Sequence, residues 1–335
     1  MKRDIIKGYS PHPGFEEGER EKGGRPTCRR NGKGEAVMSK DLLFLCNPKA
    51  GKSHIHGEVL ELANRLTQLG YRVILRPTQR GGDAEATLAR EGMNYALVAV
   101  SGGDGTLNEA INGLMALSPE QRPPVLYFPA GSTNDFATTL GIPREPLQAV
   151  KAAAGKPFAC DMGRMNRRYF TYVAAFGAFT DVAYSTPQKS KNALGHMAYV
   201  LEGLKRVPDL RAFSVTVTAG DKTIRDRFVY GMVSNTRSVG GLSLPLPRIE
   251  LNDGLLEVVL IRSPKTLLEQ QMLITKVATG DYTGPLFEIF KAPQVTFSSP
   301  EALDWTLDGE FGGSHTIAQV GVCPRAVQFL LREAP

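Results

Sequence analysis

The run Ser101-Gly102-Gly103-Asp104-Gly105-Thr106 carries the first chemical signal in the chain. It follows an apolar run, Ala96–Val100, that reads as a strand, and it precedes Leu107–Leu117, which reads as a helix. Glycines let a backbone approach a phosphate closely, and a helix N-terminus offers unpaired N–H groups to an anion. Asp104 cannot bind phosphate directly, because both are negative. It makes sense as a carboxylate facing Mg²⁺, whose oxygen ligands come from protein, phosphate and water. A plain strand-to-helix glycine turn has the same composition, so the loop needs company before it means a site.

Further segments supply it. Asn47-Pro48-Lys49-Ala50-Gly51-Lys52-Ser53 follows the strand-like Leu42–Cys46, but a Walker A loop would need glycine where Cys46 stands, so that reading fails. What remains is a short strand-to-helix loop suited to part of a nucleotide. Pro129-Ala130-Gly131-Ser132-Thr133-Asn134-Asp135-Phe136 follows Val125–Phe128, and Gly-Ser-Thr-Asn-Asp is also ordinary helix-cap and turn composition. These loops all sit at the C-terminal ends of expected parallel strands, where open α/β sheets bind ligands. Far downstream, Leu307-Asp308-Gly309-Glu310 places carboxylates on both sides of a glycine. Such a pair serves as general base or metal ligand, or simply marks a β-turn.

Strand and helix must alternate to hold these loops. Leu42–Cys46, Tyr71–Arg76, Ala96–Val100 and Val125–Phe128 read as strands buried in a parallel sheet; Val59–Leu69, Ala84–Glu91 and Leu107–Leu117 read as the intervening helices. After Pro143 comes a helix at Pro146–Ala154, then β-branched or aromatic runs at Tyr169–Ala175, Ala212–Thr218, Phe228–Ser234, Leu256–Ile261, Val295–Ser298 and Val327–Leu331. Helices are expected at Ala193–Arg206 and Lys265–Ala278. The expected fold is α/β plus mainly-β: a parallel-sheet nucleotide-binding domain over 39–142 and an antiparallel β-rich domain over 143–332, its C-terminal segment able to return to the first domain.

The net charge of +6 invites a nucleic-acid or membrane reading. Residues 1–37 hold nine Lys/Arg against six Asp/Glu, so half the excess sits on a glycine-rich tail with few large apolar side chains. The tail reads as disordered, or as upstream of a true start at Met38. The rest is nearly neutral and lacks the basic-aromatic stripe of a nucleic-acid binder. No apolar run approaches the ~18 residues of a membrane span, no signal peptide opens the chain, and the four scattered cysteines suggest no disulfide frame or zinc site. These features point to a cytoplasmic protein.

Taken in order, Asn47–Gly51, Gly102–Glu109, Gly131–Ala137 and Asp308–Glu310, with Cys160-Asp161-Met162-Gly163 and Ser185-Thr186-Pro187 between them, resemble the diacylglycerol kinase catalytic-domain family. The soluble bacterial lipid kinases are the nearest pattern, and the similarity runs over residues 41–332. The resemblance implies an NAD-kinase/diacylglycerol-kinase-like architecture and transfer of the ATP γ-phosphate to a lipid hydroxyl, diacylglycerol giving phosphatidic acid. It implies ATP contacts from Asn47, Pro48, Lys49, Ala50, Gly51, Thr78, Gly102, Gly103, Asp104, Gly105, Thr106, Leu107, Asn108 and Thr133. Asp104, Asp135 and Asp161 would gather around the catalytic Mg²⁺, and Glu310 or Asp308 would be the base. A structural Mg²⁺ would sit at Asp253 with Glu250 and Leu255. The partners implied are ATP and a membrane lipid; such a substrate would need transient bilayer contact, for which Lys189, Lys191, Lys205 and Arg206 are candidates, a solvated helix face being the alternative, and a homodimer is left open.

Phe176-Gly177-Ala178-Phe179 replaces a Gly-Gly found in relatives, and Leu244-Pro245-Leu246-Pro247 is unusual; both fall in the acceptor half. The competing readings are an NAD kinase-like phosphotransferase, a kinase of another lipid such as phosphatidylglycerol, and a nucleotide-binding regulator without catalysis.

Overall fold

In a computed structural model of the 335-residue chain, residues 28–30, 36–38, 40–50, 55–178, 211–239, 242–243 and 249–332 are described. Gly51, Lys52, Ser53, Phe179, Ser185–Pro187, Lys189, Lys191, the expected helix Ala193–Arg206 with Lys205, and Leu244–Pro247 lie outside the described residues. The chain divides into Met1–Ser39 and Lys40–Pro335. In the first unit, β1 (Cys28–Arg30) and β2 (Ala36–Met38) pair antiparallel.

In the second unit the alternation of apolar runs becomes a parallel sheet. β3 (Asp41–Cys46), α1 (Ile55–Gln68), β4 (Arg72–Pro77), α2 (Asp83–Glu91), β5 (Leu97–Gly102), α3 (Asp104–Met115) and β6 (Val125–Pro129) follow in order. β3 pairs with β4 and β5, and β5 with β6, all parallel. β5 and β6 are buried on both faces, as an apolar run without polar alternation requires. Short helices α4 (Asp135–Thr139) and α5 (Pro146–Ala149) close this half.

The second half is antiparallel. It holds β7 (Lys156–Met165), β8 (Arg168–Phe170), β9 (Val173–Gly177), β10 (Phe213–Ala219), β11 (Lys222–Ser234), the short pair β12 (Ser238–Val239) and β13 (Leu242–Ser243), and β14 (Leu256–Arg262). Helix α6 (Leu267–Thr279), capped by the Thr266 hydroxyl, leads to β15 (Phe287–Ala292), β16 (Gln294–Leu307) and β17 (Glu310–Leu331). β17 pairs antiparallel with β16 and β7, and its far end meets β6 in parallel at Phe329 and Val125. That pairing welds the two halves into one continuous sheet. Phe176 is core: it packs on Trp305 at 5.0 Å and Phe297 at 5.8 Å between ring centroids.

Two departures from the sequence expectation have local causes. The run Tyr169–Ala175 is not one strand but β8 and β9, because the N–H groups of Thr171, Tyr172 and Val173 turn to a carboxylate, that of Asp308. β7 carries Pro157, Asp161 and Gly163, residues depleted in strands, so its sequence does not announce it; β17 makes it a strand by pairing along its length.

Candidate active site

The loops after β3, β5 and β6 meet at one end of the parallel sheet. Asn47 ties the first two together: its N–H donates to the Ser101 carbonyl at 2.9 Å and its Nδ2 to Thr106 Oγ1 at 3.0 Å. Thr78, after β4, donates its N–H to the Cys46 carbonyl at 2.9 Å. Gly103 and Gly131 hold the second and third loops backbone to backbone; a Cβ on Gly131 would stand 2.6 Å from the Gly103 Cα and 2.8 Å from Asn134 Oδ1. Asn134 sits at φ 56° and closes its own loop, accepting the Gly131 N–H and donating to the Gly131 carbonyl, both at 2.8 Å.

Within this cradle Asp104 Oδ2 accepts the N–H of Asp135 at 3.3 Å, while Oδ1 is buried with no hydrogen-bond partner. Burial, with the charges of Asp135 and Asp308 nearby, pushes the Asp104 carboxyl up to about 7. Asp135 is almost wholly buried and accepts the Ser238 hydroxyl at 2.7 Å. An orphaned carboxylate oxygen beside a second carboxylate is the oxygen donor set a hard divalent cation takes, so Asp104 and Asp135 fit Mg²⁺.

Asp161 is held elsewhere. Its Oδ1 accepts the Arg325 N–H at 2.6 Å and its Oδ2 the Gly254 N–H at 2.7 Å, so both oxygens already stitch β17 and the Asp253-Gly254 turn to β7. At that turn Asp253 accepts the Leu255 N–H at 3.0 Å and the Lys291 ammonium at 3.1 Å. Asp253 is an oxygen donor of the right kind for a cation, but its present counter-ion is Lys291, with Glu257 also 3.1 Å from the ammonium. Glu250 is exposed beside this turn. Among the described residues no three His, Cys, Asp or Glu side chains converge as a ready metal cage.

The carboxylates of the Asp308-Gly309-Glu310 run part company. Asp308 and Gly309, at φ 50° and 82°, are the central residues of the two-residue hairpin turn joining β16 to β17; positive φ at both positions is the type I′ signature of Asp-Gly. The Asp308 side chain is buried and saturated. Oδ2 accepts the Thr171 N–H at 2.6 Å, the Thr171 hydroxyl at 2.8 Å and Asn108 Nδ2 at 2.7 Å; Oδ1 accepts the N–H groups of Tyr172 and Val173 at 3.0 Å each. Burial pushes this carboxyl up and those N–H donors pull it back. Glu310 is exposed, and its Oε1 would lie 3.7 Å from a Cβ on Gly105. The turn therefore hangs Glu310 over the start of α3, facing the glycine loop.

Several residues expected to touch ATP also have a defined place within the fold. Leu107 is core, and its N–H is taken by the Gly103 carbonyl at 3.1 Å. The Asn108 amide braces Asp308 and the Tyr169 carbonyl. Pro48 and Lys49 are exposed at the loop rim, and Thr133 is held by Arg144 donating to its carbonyl at 2.9 Å. The motifs missed Asn112, which donates to the Tyr169 carbonyl and accepts the Tyr169 N–H; polar residues four apart on the otherwise apolar inner face of α3 were the available signal. They also missed Tyr172, a buried phenol raised well above its ordinary value by burial and then by Asp104, Asp308 and Asp135, with its oxygen 4.0 Å from a Cβ on Gly309.

This geometry has relatives. Residues 41–165 match the diacylglycerol kinase catalytic domain, and residues 175–331 the YegS C-terminal NAD kinase beta sandwich-like domain. The chain belongs to the diacylglycerol kinase family. It is 33% identical over 276 residues to the diacylglycerol kinase of Bacillus subtilis (strain 168), covering 81% of this chain and 89% of that one. It is 35% identical over 265 residues to a YegS-like lipid kinase of Chromohalobacter salexigens, covering 78% and 84%. A solved Bacillus anthracis structure described as a diacylglycerol kinase superposes with TM-score 0.76 at 24% identity, over 87% of this chain and 96% of that one, and supports the fold. As a diacylglycerol kinase family member the chain is an ATP-dependent lipid kinase, and family kinases use ATP with Mg²⁺. Among the described residues no helix is long and apolar enough to cross a membrane.

Proposed function

We propose that the chain transfers the γ-phosphate of ATP to the hydroxyl of diacylglycerol, giving phosphatidic acid, with Glu310 as the general base. The observation that carries the base assignment is the contrast within the hairpin: every accepting direction of Asp308 is in use, whereas Glu310 stands exposed over Gly105. The diacylglycerol kinase of Bacillus subtilis, among the relatives, supports the acceptor.

The division of labour follows from charge. The loop Gly102–Thr106 offers helix N-terminal N–H groups to phosphate oxygens, Asn47 and Thr106 hold the neighbouring loop against it, and Gly51 and Thr133 are read as further nucleotide contacts. Asp104 and Asp135 would hold magnesium, which when bound neutralises charge on the phosphate oxygens. Glu310 takes the proton from the lipid hydroxyl as that oxygen attacks; an alcohol whose pKa lies far above neutral needs a base within hydrogen-bond reach. Asp161 is assigned to stitching the fold beside this site. A second magnesium at Glu250, Asp253 and Leu255 would require Lys291 to release Asp253 while keeping Glu257 as its counter-ion. Cytoplasmic placement with transient bilayer contact completes the reading.

A kinase assay with ATP, Mg²⁺ and a panel of diacylglycerol, phosphatidylglycerol and NAD, read by mass spectrometry, tests it. Phosphatidic acid is the expected product, and transfer only to phosphatidylglycerol or NAD overturns the acceptor. Glu310→Gln should lower kcat by about 10²–10⁴-fold with nucleotide binding retained. Turnover within a few-fold of the parent would remove Glu310 as base.

A further inference from the structure

Asp135 belongs to the nucleotide half, yet the hydroxyl bonded to its Oδ1 comes from the other half of the chain, 103 residues downstream at the start of β12. We propose that Ser238 is a positioning residue for Asp135: a hydroxyl supplied by the β-rich half that sets the direction in which this carboxylate meets the magnesium-bound nucleotide. The inference rests on assigning Asp135 to the magnesium site. Both side chains are buried, Ser238 to 5% and Asp135 to 2% of their full exposure, so no bulk water stands ready to replace the bond. A donor to a carboxylate is stronger than a neutral hydrogen bond, and it restricts which lone pairs the carboxylate presents.

The surroundings of Ser238 separate this role from a structural one. The three residues before it are already pinned. The Asn235 N–H donates to the Tyr172 carbonyl at 2.9 Å, and Asn235 Nδ2 to the Asp161 carbonyl at 2.7 Å. The Thr236 hydroxyl donates to the Ser238 carbonyl at 2.8 Å, accepts the Ser238 N–H at 3.1 Å and meets the Thr139 hydroxyl at 2.5 Å. Arg237 reaches the Ile249 carbonyl at 3.1 Å. The backbone at Ser238 is therefore held without its own hydroxyl, whose described bond goes to Asp135 alone. Thr139 lies one turn along α4 from Asp135, so the same hydroxyl cluster anchors both ends of that short helix to the β-rich half.

The test compares the parent, Ser238→Ala, Ser238→Thr, Asp135→Asn and the Ser238→Ala/Asp135→Asn double variant. Isothermal titration calorimetry with a non-hydrolysable ATP analogue is run in EDTA and across a Mg²⁺ series, with thermal melting alongside. Ser238→Ala should bind the analogue like the parent in EDTA, yet need about tenfold more Mg²⁺ to reach the tight-binding state. Ser238→Thr, which keeps a hydroxyl, should return to within about twofold of the parent. Adding Ser238→Ala to Asp135→Asn should change nothing further, as two residues acting through one contact require. An unchanged Mg²⁺ requirement in Ser238→Ala, an equal loss in EDTA, or a threonine variant no better than alanine would each overturn the proposal. If Asp135→Asn itself leaves the Mg²⁺ requirement untouched, the assignment of Asp135 fails beneath it; if Asp135→Asn shifts it and Ser238→Ala does not, only the positioning role fails.

Discussion

Asp308 and Glu310 carry the same functional group two positions apart, and their neighbours make one an anchor and the other a reagent. Asp308 gathers the N–H groups of three consecutive residues and two side-chain donors. Asp308→Asn would swap an accepting oxygen for an amide donor facing N–H groups, leaving buried donors unpaired. A loss of about 2–4 kcal/mol is expected in urea unfolding, whereas Glu310→Gln, on the exposed side of the same turn, should melt within a few degrees of the parent. Equal stability losses in the two variants would contradict this division. Asp104 allows a test with a sign. Its folded value, about 7, lies above the ordinary 3.8. A carboxyl raised on folding contributes stability that is full below pH ~4 and lost as pH rises through ~7. In EDTA the melting temperature of Asp104→Asn should therefore gain on the parent from pH 4 to pH 8, and added Mg²⁺ should narrow the gap at pH 8. A pH-independent difference would mean that Asp104 is not the strained group. None of these contrasts is written in residue types: the sequence offered both hairpin carboxylates as bases, because only the folded chain shows which N–H groups reach which oxygen.

At the scale of elements, loops that look like ordinary turns become a site through backbone contact between them. The strand-helix alternation and the order of loops were legible because apolar runs and glycine loops punctuate the first half plainly; β3 to β6 fall within a residue or two of their expected limits. The break between β8 and β9 was not legible, since Thr171 and Tyr172 are good strand formers whose N–H groups are diverted by a residue 137 positions away. The contact of Gly103 with Gly131 is equally hidden, and it can be tested. Gly131→Ala would drive a methyl to 2.6 Å from the Gly103 Cα, inside any van der Waals contact, so the loops must separate. The KM for ATP is expected to rise about tenfold or more, because a displacement of the order of 1 Å at a positioning loop is costly. A Gly131→Ala enzyme with the parent's KM for ATP would mean that the two loops need not touch.

At the scale of the whole molecule, the two family segments are not two detachable bodies. β17 begins beside the glycine loop with Glu310, runs along β7 from Met165 back to Lys156, and ends against β6. Phe329 near its end packs edge-on against Phe136 at 5.5 Å, putting a C-terminal ring in the core of the nucleotide half. The sequence hinted at such a return but could not give its register, which depends on pairing across more than 150 residues. A chain of residues 40–165, the whole catalytic-domain match, would keep β7 without β17 and expose Phe158, Cys160, Met162 and the side of β6 that Phe329 covers. It is expected to lack a cooperative urea transition. Removing residues 1–39 instead leaves every paired strand of the second unit and every proposed site residue in place, so the truncated enzyme should unfold at the parent's urea midpoint and keep its kcat. The contrast is informative in both directions: a cooperative 40–165 fragment would show that the nucleotide half carries its own core, and a collapsed 40–335 chain would show that the first unit is needed by the second.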